Sequence, residues 1–224
     1  MLEARIDEVE AWYGARGLSP VFKLTAAADP PELEASLAAR GYATDGESLG
    51  MTVALDETLA RAPAPPFSDT VTELFAGRLD DHWFDASCRL SGIADERRGD
   101  YLAILERCLA TQKAVLFGRT ERAGEIVSIA MGSVVEDAVS LVAVATAASS
   151  RGHRLAESVL RTILFAAREH DAEFALLNVE ASNQPARRLY ERMGFEERYR
   201  YWYRERSAGA VSHGSPRSGS SHRR

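Results

Sequence analysis

Two short runs hold residue types whose spacing could do chemistry. The first is SSRGHRLA at 149–156, where a β-rich stretch meets an amphipathic one. A turn that opens a helix leaves backbone N–H groups aimed at one spot, and the helix dipole adds partial positive charge there. Strand, tight turn and helix meet across this run, through Arg151, Gly152, His153, Arg154, Leu155 and Ala156, an arrangement that suits a pyrophosphate. Any strand-to-helix turn offers such N–H groups, so a solvated helix start explains Arg151 and Arg154 as well. The second run is NVEASNQPARRLYERMGF at 178–195. Asn183 is placed to cap a helix opening at Gln184 and Pro185. Tyr190 falls two turns in, on one face with Ala186, and reads either as a working phenol or as a packed core tyrosine.

The first run resembles the acetyl-CoA signature of GNAT acetyltransferases, [Q/R]-x-x-G-x-[G/A], with Arg151 first and Ala156 last. The central glycine of that pattern is Arg154 here. A glycine lets backbone approach phosphate without an intervening Cβ, so the departure implies either an outward-turned side chain that adds a cation or a reduced donor affinity. The second run is similar to the family's N-x-x-A-x-x-L-Y-x-x-x-G-F segment at every named position, through Asn183, Ala186, Leu189, Tyr190, Gly194 and Phe195. The resemblance implies an α/β (α+β) GNAT fold, a mixed and mostly antiparallel central sheet flanked by helices, with two strands splayed at the acetyl-CoA site. It implies that the pantetheine arm pairs with the strand holding Leu141, Val142, Ala143 and Val144, and that Asn183 contacts the donor. It also implies that Tyr190 donates a proton to the departing thiolate. A phenol of pKa near 10 suits that role, since it protonates a thiolate of pKa roughly 8.5 to 10 without ionising first.

Transfer to an amine also needs a base. Glu180, at the end of a strand beside the splay, is the first candidate, with Asp85 and Glu136 behind it; each also reads as a solvated carboxylate. His153 is read as a loop residue rather than a base. The resemblance implies a primary amine on a small molecule or protein as acceptor, and Asp85, Asp95, Glu96 and Asp100 would favour a cationic one. The alternative reading is a CoA-binding regulatory or structural module impaired in transfer.

The elements that position these residues follow from periodicity. Leu2, Ile6, Val9 and Trp12 predict a helix over 2–16, followed by a strand at 20–25, a helix from Pro31 to Gly41 and a strand at 50–55. Pro63, Pro65 and Pro66 mark 56–69 as a linker. Helices at 81–90 and 95–112 precede strands at 114–120, 125–135 and 138–146, the last two joined around Glu136 and Asp137. Then come a helix over 151–170, a strand at 174–180, a helix at 184–193 and a strand at 195–206. The tail 207–224 is Ser, Gly, His and Arg with almost nothing to bury, so disorder is expected there.

Helix, strand, helix, strand thus occurs in 2–55 and again in 151–206. The second helices end alike, in Ala39, Arg40, Gly41, Tyr42 and in Arg192, Met193, Gly194, Phe195. Residues 1–55 read as a partial, degenerate GNAT-like repeat of the kind found in tandem-GNAT proteins, beside a catalytic domain at 70–206. Too small to bury a core alone, that half must dock its apolar row on the C-terminal domain or on a second chain. A homodimer is one way of completing its sheet.

Composition bounds the rest. A net charge of -6 gives no basic face for neutralising phosphates, which argues against nucleic acid as a partner. Cys88 and Cys108 lack CxxC spacing and a nearby His pair, so no metal site is expected and two reduced thiols are. No stretch reaches the roughly 18 apolar residues of a membrane span, and 1–10 has no basic region of the secretory kind. A cytoplasmic protein without membrane contact is the expectation.

Overall fold

The computed structural model describes residues 1–28, 30–55 and 69–206. The linker expected at 56–69, its last residue apart, and the tail at 207–224 lie outside the described residues. The helices are Leu2–Gly14 (α1), Leu33–Ala39 (α2), Asp81–Ser91 (α3), Arg98–Thr111 (α4), Leu155–Arg168 (α5) and Gln184–Arg192 (α6). The strands are Val21–Thr25 (β1), Ala43–Ala54 (β2), Thr70–Ala76 (β3), Ala114–Arg122 (β4), Glu125–Val135 (β5), Ala138–Thr146 (β6), Phe174–Glu180 (β7) and Glu196–Glu205 (β8). This is an α/β fold of mixed, mostly antiparallel strands. Three expectations need correction. β3 was not foreseen, β2 begins at Ala43 rather than 50, and the long helix begins at Leu155 rather than 151.

The described residues fall into two units. Of the described residues, the larger holds 52–55, 69–177 and Arg192–Gly194; the smaller holds 1–28, 30–51, Asn178–Glu191 and 195–206. This grouping differs from a linear division at the proline-rich segment, because most of the last helix and all of the last strand group with the N-terminal residues.

In the smaller unit β8 lies between β1 and β2, and β1 pairs with it antiparallel from Val21↔Glu205 to Thr25↔Tyr201. The sheet that the N-terminal residues leave incomplete is therefore filled by the chain's own last strand. Ile6 of α1, Leu24 of β1, Leu37 of α2 and Tyr42 form the buried core, with Leu2, Leu33 and Trp202 packed against them. The predicted apolar row of α1 is thus only partly used. Ile6 is buried, whereas Trp12 is exposed beneath the Arg16 guanidinium, 3.7 Å from its ring centre. Polar contacts complete the packing: Trp202 Nε1 donates to Glu34 at 3.0 Å, and Arg204 pairs with Glu34 and donates to the Tyr42 carbonyl. At the α1–α2 contact, Arg40 reaches Glu3 at 2.6 Å, Asp7 at 2.7 Å and Glu10 at 3.3 Å.

The two helix ends matched in the sequence share one geometry. Gly41 and Gly194 have φ of +83° and +89°, conformations that favour glycine. Tyr42 N–H donates to the Leu37 carbonyl and Phe195 N–H to the Tyr190 carbonyl, each at 3.0 Å. Leu37 therefore stands in its helix where Tyr190 stands in the other.

In the larger unit the strand order is β7-β6-β5-β4-β3. All neighbours are antiparallel except β6 and β7, which run parallel. Successive residues of a strand point to opposite faces. Phe117 of β4 meets Trp83 of α3, ring centroids 4.9 Å apart, while Gly118 faces α5. A Cβ at Gly118 would stand 2.7 Å from Val159, and one at Gly132 would stand 2.5 Å from Ile163. These two glycines bring α5 down onto the sheet, where Val159, Leu160, Ile163 and Leu164 are fully buried. On the opposite face Trp83, Leu105, Phe117, Ile129 and Met131 form a second core. Cys88 is buried and Cys108 half-buried, both as free thiols. Among the described residues no helix is long and apolar enough to cross a membrane.

Candidate functional site

In the larger unit the candidate donor-binding residues sit on β6 and the turn that follows it. The β5–β6 ladder runs from Val135↔Ala138 to Met131↔Val142, breaks, and resumes at Ile129↔Ala145. Ala143 and Val144 thus oppose the single residue Ala130, a β-bulge, and Ala143 takes φ +52°. The parallel ladder with β7 covers only Ala138↔Phe174 to Leu141↔Leu177. Beyond Leu141 the β6 backbone is laddered on its β5 side alone, and Val142 is exposed. A strand paired on one side offers its remaining N–H and C=O groups to an extended amide-bearing chain. Nothing in the residue types announces the bulge, because alanine and valine carry no signal for one.

The turn follows directly. Ala147 N–H donates to the Val127 carbonyl at 2.8 Å and Ser150 N–H to the Ala147 carbonyl at 2.9 Å, which hold its first half. Gly152 then takes φ +80° and Arg154 takes φ +57°, ψ +19°. The left-handed conformation that a glycine would hold without strain is therefore held here by an arginine, at a cost of about 1–2 kcal/mol. Residues 151–154 are all exposed, Leu155 is buried and Ala156 half-buried. Arg154 is the N-cap of α5 and supplies no side-chain cap, so the first-turn N–H groups keep their donors for another partner. Arg151 Nε donates to the Thr146 carbonyl at 3.4 Å. Arg154 thus holds the left-handed conformation itself, with its side chain exposed.

In the smaller unit the second motif builds a differently finished helix start. Asn183 Oδ1 accepts from the Ala186 N–H at 3.2 Å, the expected cap, which leaves the Asn183 amide nitrogen for other partners. Arg187 folds back to donate to the Ala181 carbonyl at 3.1 Å, and the Ala181 N–H donates to the Glu47 carbonyl on β2 at 2.9 Å. Tyr190, two turns along, is 6% exposed and meets Phe195 edge to face, centroids 5.8 Å apart. Its hydroxyl has no hydrogen-bond partner among the described residues, and burial pushes its pKa up to about 12.

The candidate bases fare unequally. Glu180, the last residue of β7, is exposed. Asp85 is engaged in an ion pair with Arg98. Glu136 sits in the β5–β6 turn at φ +53°, at the opposite end of β6 from the bulge.

Comparison with known proteins agrees with this reading. The model of the family described as the acetyltransferase (GNAT) family matches residues 78–195. A mycothiol acetyltransferase of Brachybacterium faecium is 34% identical over 119 residues, 53% of this chain. The chain spans only 29% of the length of that relative. A GCN5-related N-acetyltransferase from Sphaerobacter thermophilus superposes with TM-score 0.71 at 18% identity, covering 90% of this chain and 66% of its own. A tandem GNAT protein from the clavulanic acid biosynthesis pathway superposes with TM-score 0.66 at 18% identity, covering 90% and 70%. At such identities the structural likeness is one of fold. With a family model spanning more than half of its residues, a bulged strand leading into an open cationic turn, and the Asn183-to-Phe195 helix, the chain belongs to the acetyltransferase (GNAT) family.

Proposed function

We propose that this chain transfers the acetyl group of acetyl-CoA to a primary amine of a small molecule or protein. The observation that carries the reading is β6: its ladder with β7 stops at Leu141, its register breaks at Ala143 and Val144, and it ends in a turn with exposed N–H donors and arginines. In this reading the pantetheine amides pair with the backbone of 141–144, and the pyrophosphate sits against 151–156. The amine nitrogen attacks the thioester carbonyl, the C–N bond forms, the C–S bond breaks, and the amine proton leaves to water or to Glu180. Tyr190 supplies the proton that the departing thiolate takes up. A phenol with its pKa pushed up to about 12 stays protonated across the range in which an amine becomes free, so the alkaline side of the rate profile is not set by its ionisation. The described residues offer Asp95, Glu96 and Asp100 near the start of α4, which favour a cationic acceptor. The mycothiol acetyltransferase match is consistent with an amine-bearing small molecule, and a cytoplasmic setting fits such a substrate.

Replacing Tyr190 with phenylalanine tests the assignment. Turnover should fall by about 10²-fold or more, the lower range for general acid catalysis, while acetyl-CoA affinity measured by calorimetry stays within about two-fold. Unchanged turnover on a working acceptor would remove the proton-donor role. Tight acetyl-CoA binding by the wild-type chain with no acetylation in a broad amine screen would instead make it a binding module.

A further inference from the structure

Beneath the first turn of α5 the sheet of the larger unit carries a row of hydroxyls. Thr72 of β3, Thr120 of β4, Ser128 of β5 and Thr146 of β6 are successive register partners, Thr72↔Thr120, Thr120↔Ser128 and Ser128↔Thr146. Thr120 stands two residues from Gly118 and so shares the α5 face. Thr120 and Ser128 are wholly buried. The Thr72 and Thr120 hydroxyls lie 2.9 Å apart, and those of Ser128 and Thr146 lie 2.8 Å apart. Ser158, buried in α5, reaches the Thr72 hydroxyl at 3.3 Å.

Packing alone does not call for this row. Further along the same face Val159 and Ile163 press onto Gly118 and Gly132, and valine or alanine at 120 and 128 would fill the space without needing partners. A buried hydroxyl is tolerated only while it is hydrogen-bonded, and each bond fixes a direction as well as a distance. The two ends of the row are also the two ends of the turn. Thr146 is the last residue of β6, and its carbonyl accepts from Arg151. Ser158 is the fourth residue of α5, and its N–H donates to the Arg154 carbonyl at 3.0 Å. Residues 147–157 therefore run between Thr146, bonded to buried Ser128, and Ser158, bonded through Thr72 to buried Thr120, and Thr120 and Ser128 are register partners.

We propose that Thr72, Thr120, Ser128, Thr146 and Ser158 are positioning residues that hold the turn at the spacing a pyrophosphate requires. The proposal rests on reading that turn as the acetyl-CoA site. The variants are Ser128→Ala and Thr120→Val in the full chain, with half-buried Thr72→Val as a milder change and Thr120→Ser as the conservative control. Two readouts are taken: the acetyl-CoA dissociation constant by calorimetry, and amide hydrogen exchange along α5 and its turn. Loss of one such bond should raise the dissociation constant by about five-fold, and Thr120→Ser should restore it. Exchange should quicken over 147–158 while that of 160–167 keeps its wild-type rate. Variants that lower the thermal midpoint but leave both affinity and exchange over 147–158 unchanged would overturn the proposal. So would exchange that quickens uniformly along α5. If the wild-type chain binds no acetyl-CoA, the donor reading falls, and the exchange pattern alone still decides whether the row positions the turn.

Discussion

Helices α5 and α6 begin in opposite ways. α6 closes its own first turn, with Asn183 capping Ala186 and Arg187 folded onto Ala181. α5 begins at an arginine in the left-handed conformation, with no side-chain cap and four exposed residues before it. A capped start uses its donors internally and stiffens the helix, whereas an uncapped, exposed start leaves its donors for an anion. The contrast separates two kinds of start that the motifs alone do not: one closes its own donors at the head of the helix that carries Tyr190, and the other has no side-chain cap, as the proposed phosphate contact requires.

The strongest way to break the comparison is at Gly152. Nothing lies within 4 Å of a Cβ built there, so Gly152→Val adds no clash, only a branched residue at φ +80°. Acetyl-CoA affinity should fall about ten-fold, the scale of a left-handed penalty of about 1–2 kcal/mol, when titrated calorimetrically. Equal affinity would mean that the turn's shape is irrelevant to the donor. The opposite signature is expected at α6. Asn183→Ala should cost about 1 kcal/mol of stability by denaturant titration, a fall of about 2–4 °C in thermal midpoint. Full stability with lost donor affinity would reverse the contrast and make α6 the ligand-facing start. The smallest effect belongs to Arg154→Gly, which relieves strain and removes a cation together. The thermal midpoint should hold or rise slightly, while acetyl-CoA binding weakens about two- to three-fold at low ionic strength, a difference that closes in about 0.5 M salt. Tighter binding by the glycine variant would show that the arginine obstructs the site.

Much of this contrast was legible in the sequence. Asn183 before Gln184 and Pro185 is a local capping pattern, and the structure realises it, because capping is decided within four residues. The turn before α5 was legible by type but not by extent. Periodic apolar residues carried the predicted helix back to 151, whereas Gly152 and Arg154 at positive φ delay it to Leu155. β3 and the first half of β2 were missed because Thr72, Glu73, Asp45, Gly46 and Glu47 give no apolar alternation to read. The partnership of Trp202 with α1 and α2 joins residues more than 160 positions apart, and nothing in either segment names the other. The hydroxyl row depends on register across four strands, which no single strand encodes.

The meeting of Arg40 with α1 has a consequence for the order in which the chain folds. Glu3, Asp7 and Glu10 are spaced four and three residues apart and so share one stripe of a 13-residue helix. Like charges at those spacings repel, and a helix of that length is marginal in water even without them. Arg40, the C-cap of α2, pairs with all three carboxylates, and Arg206 adds a second cation at Glu10. The helical state of α1 is therefore conditional on α2 being formed and docked. α1 precedes α2 in the chain yet settles only once α2 is in place.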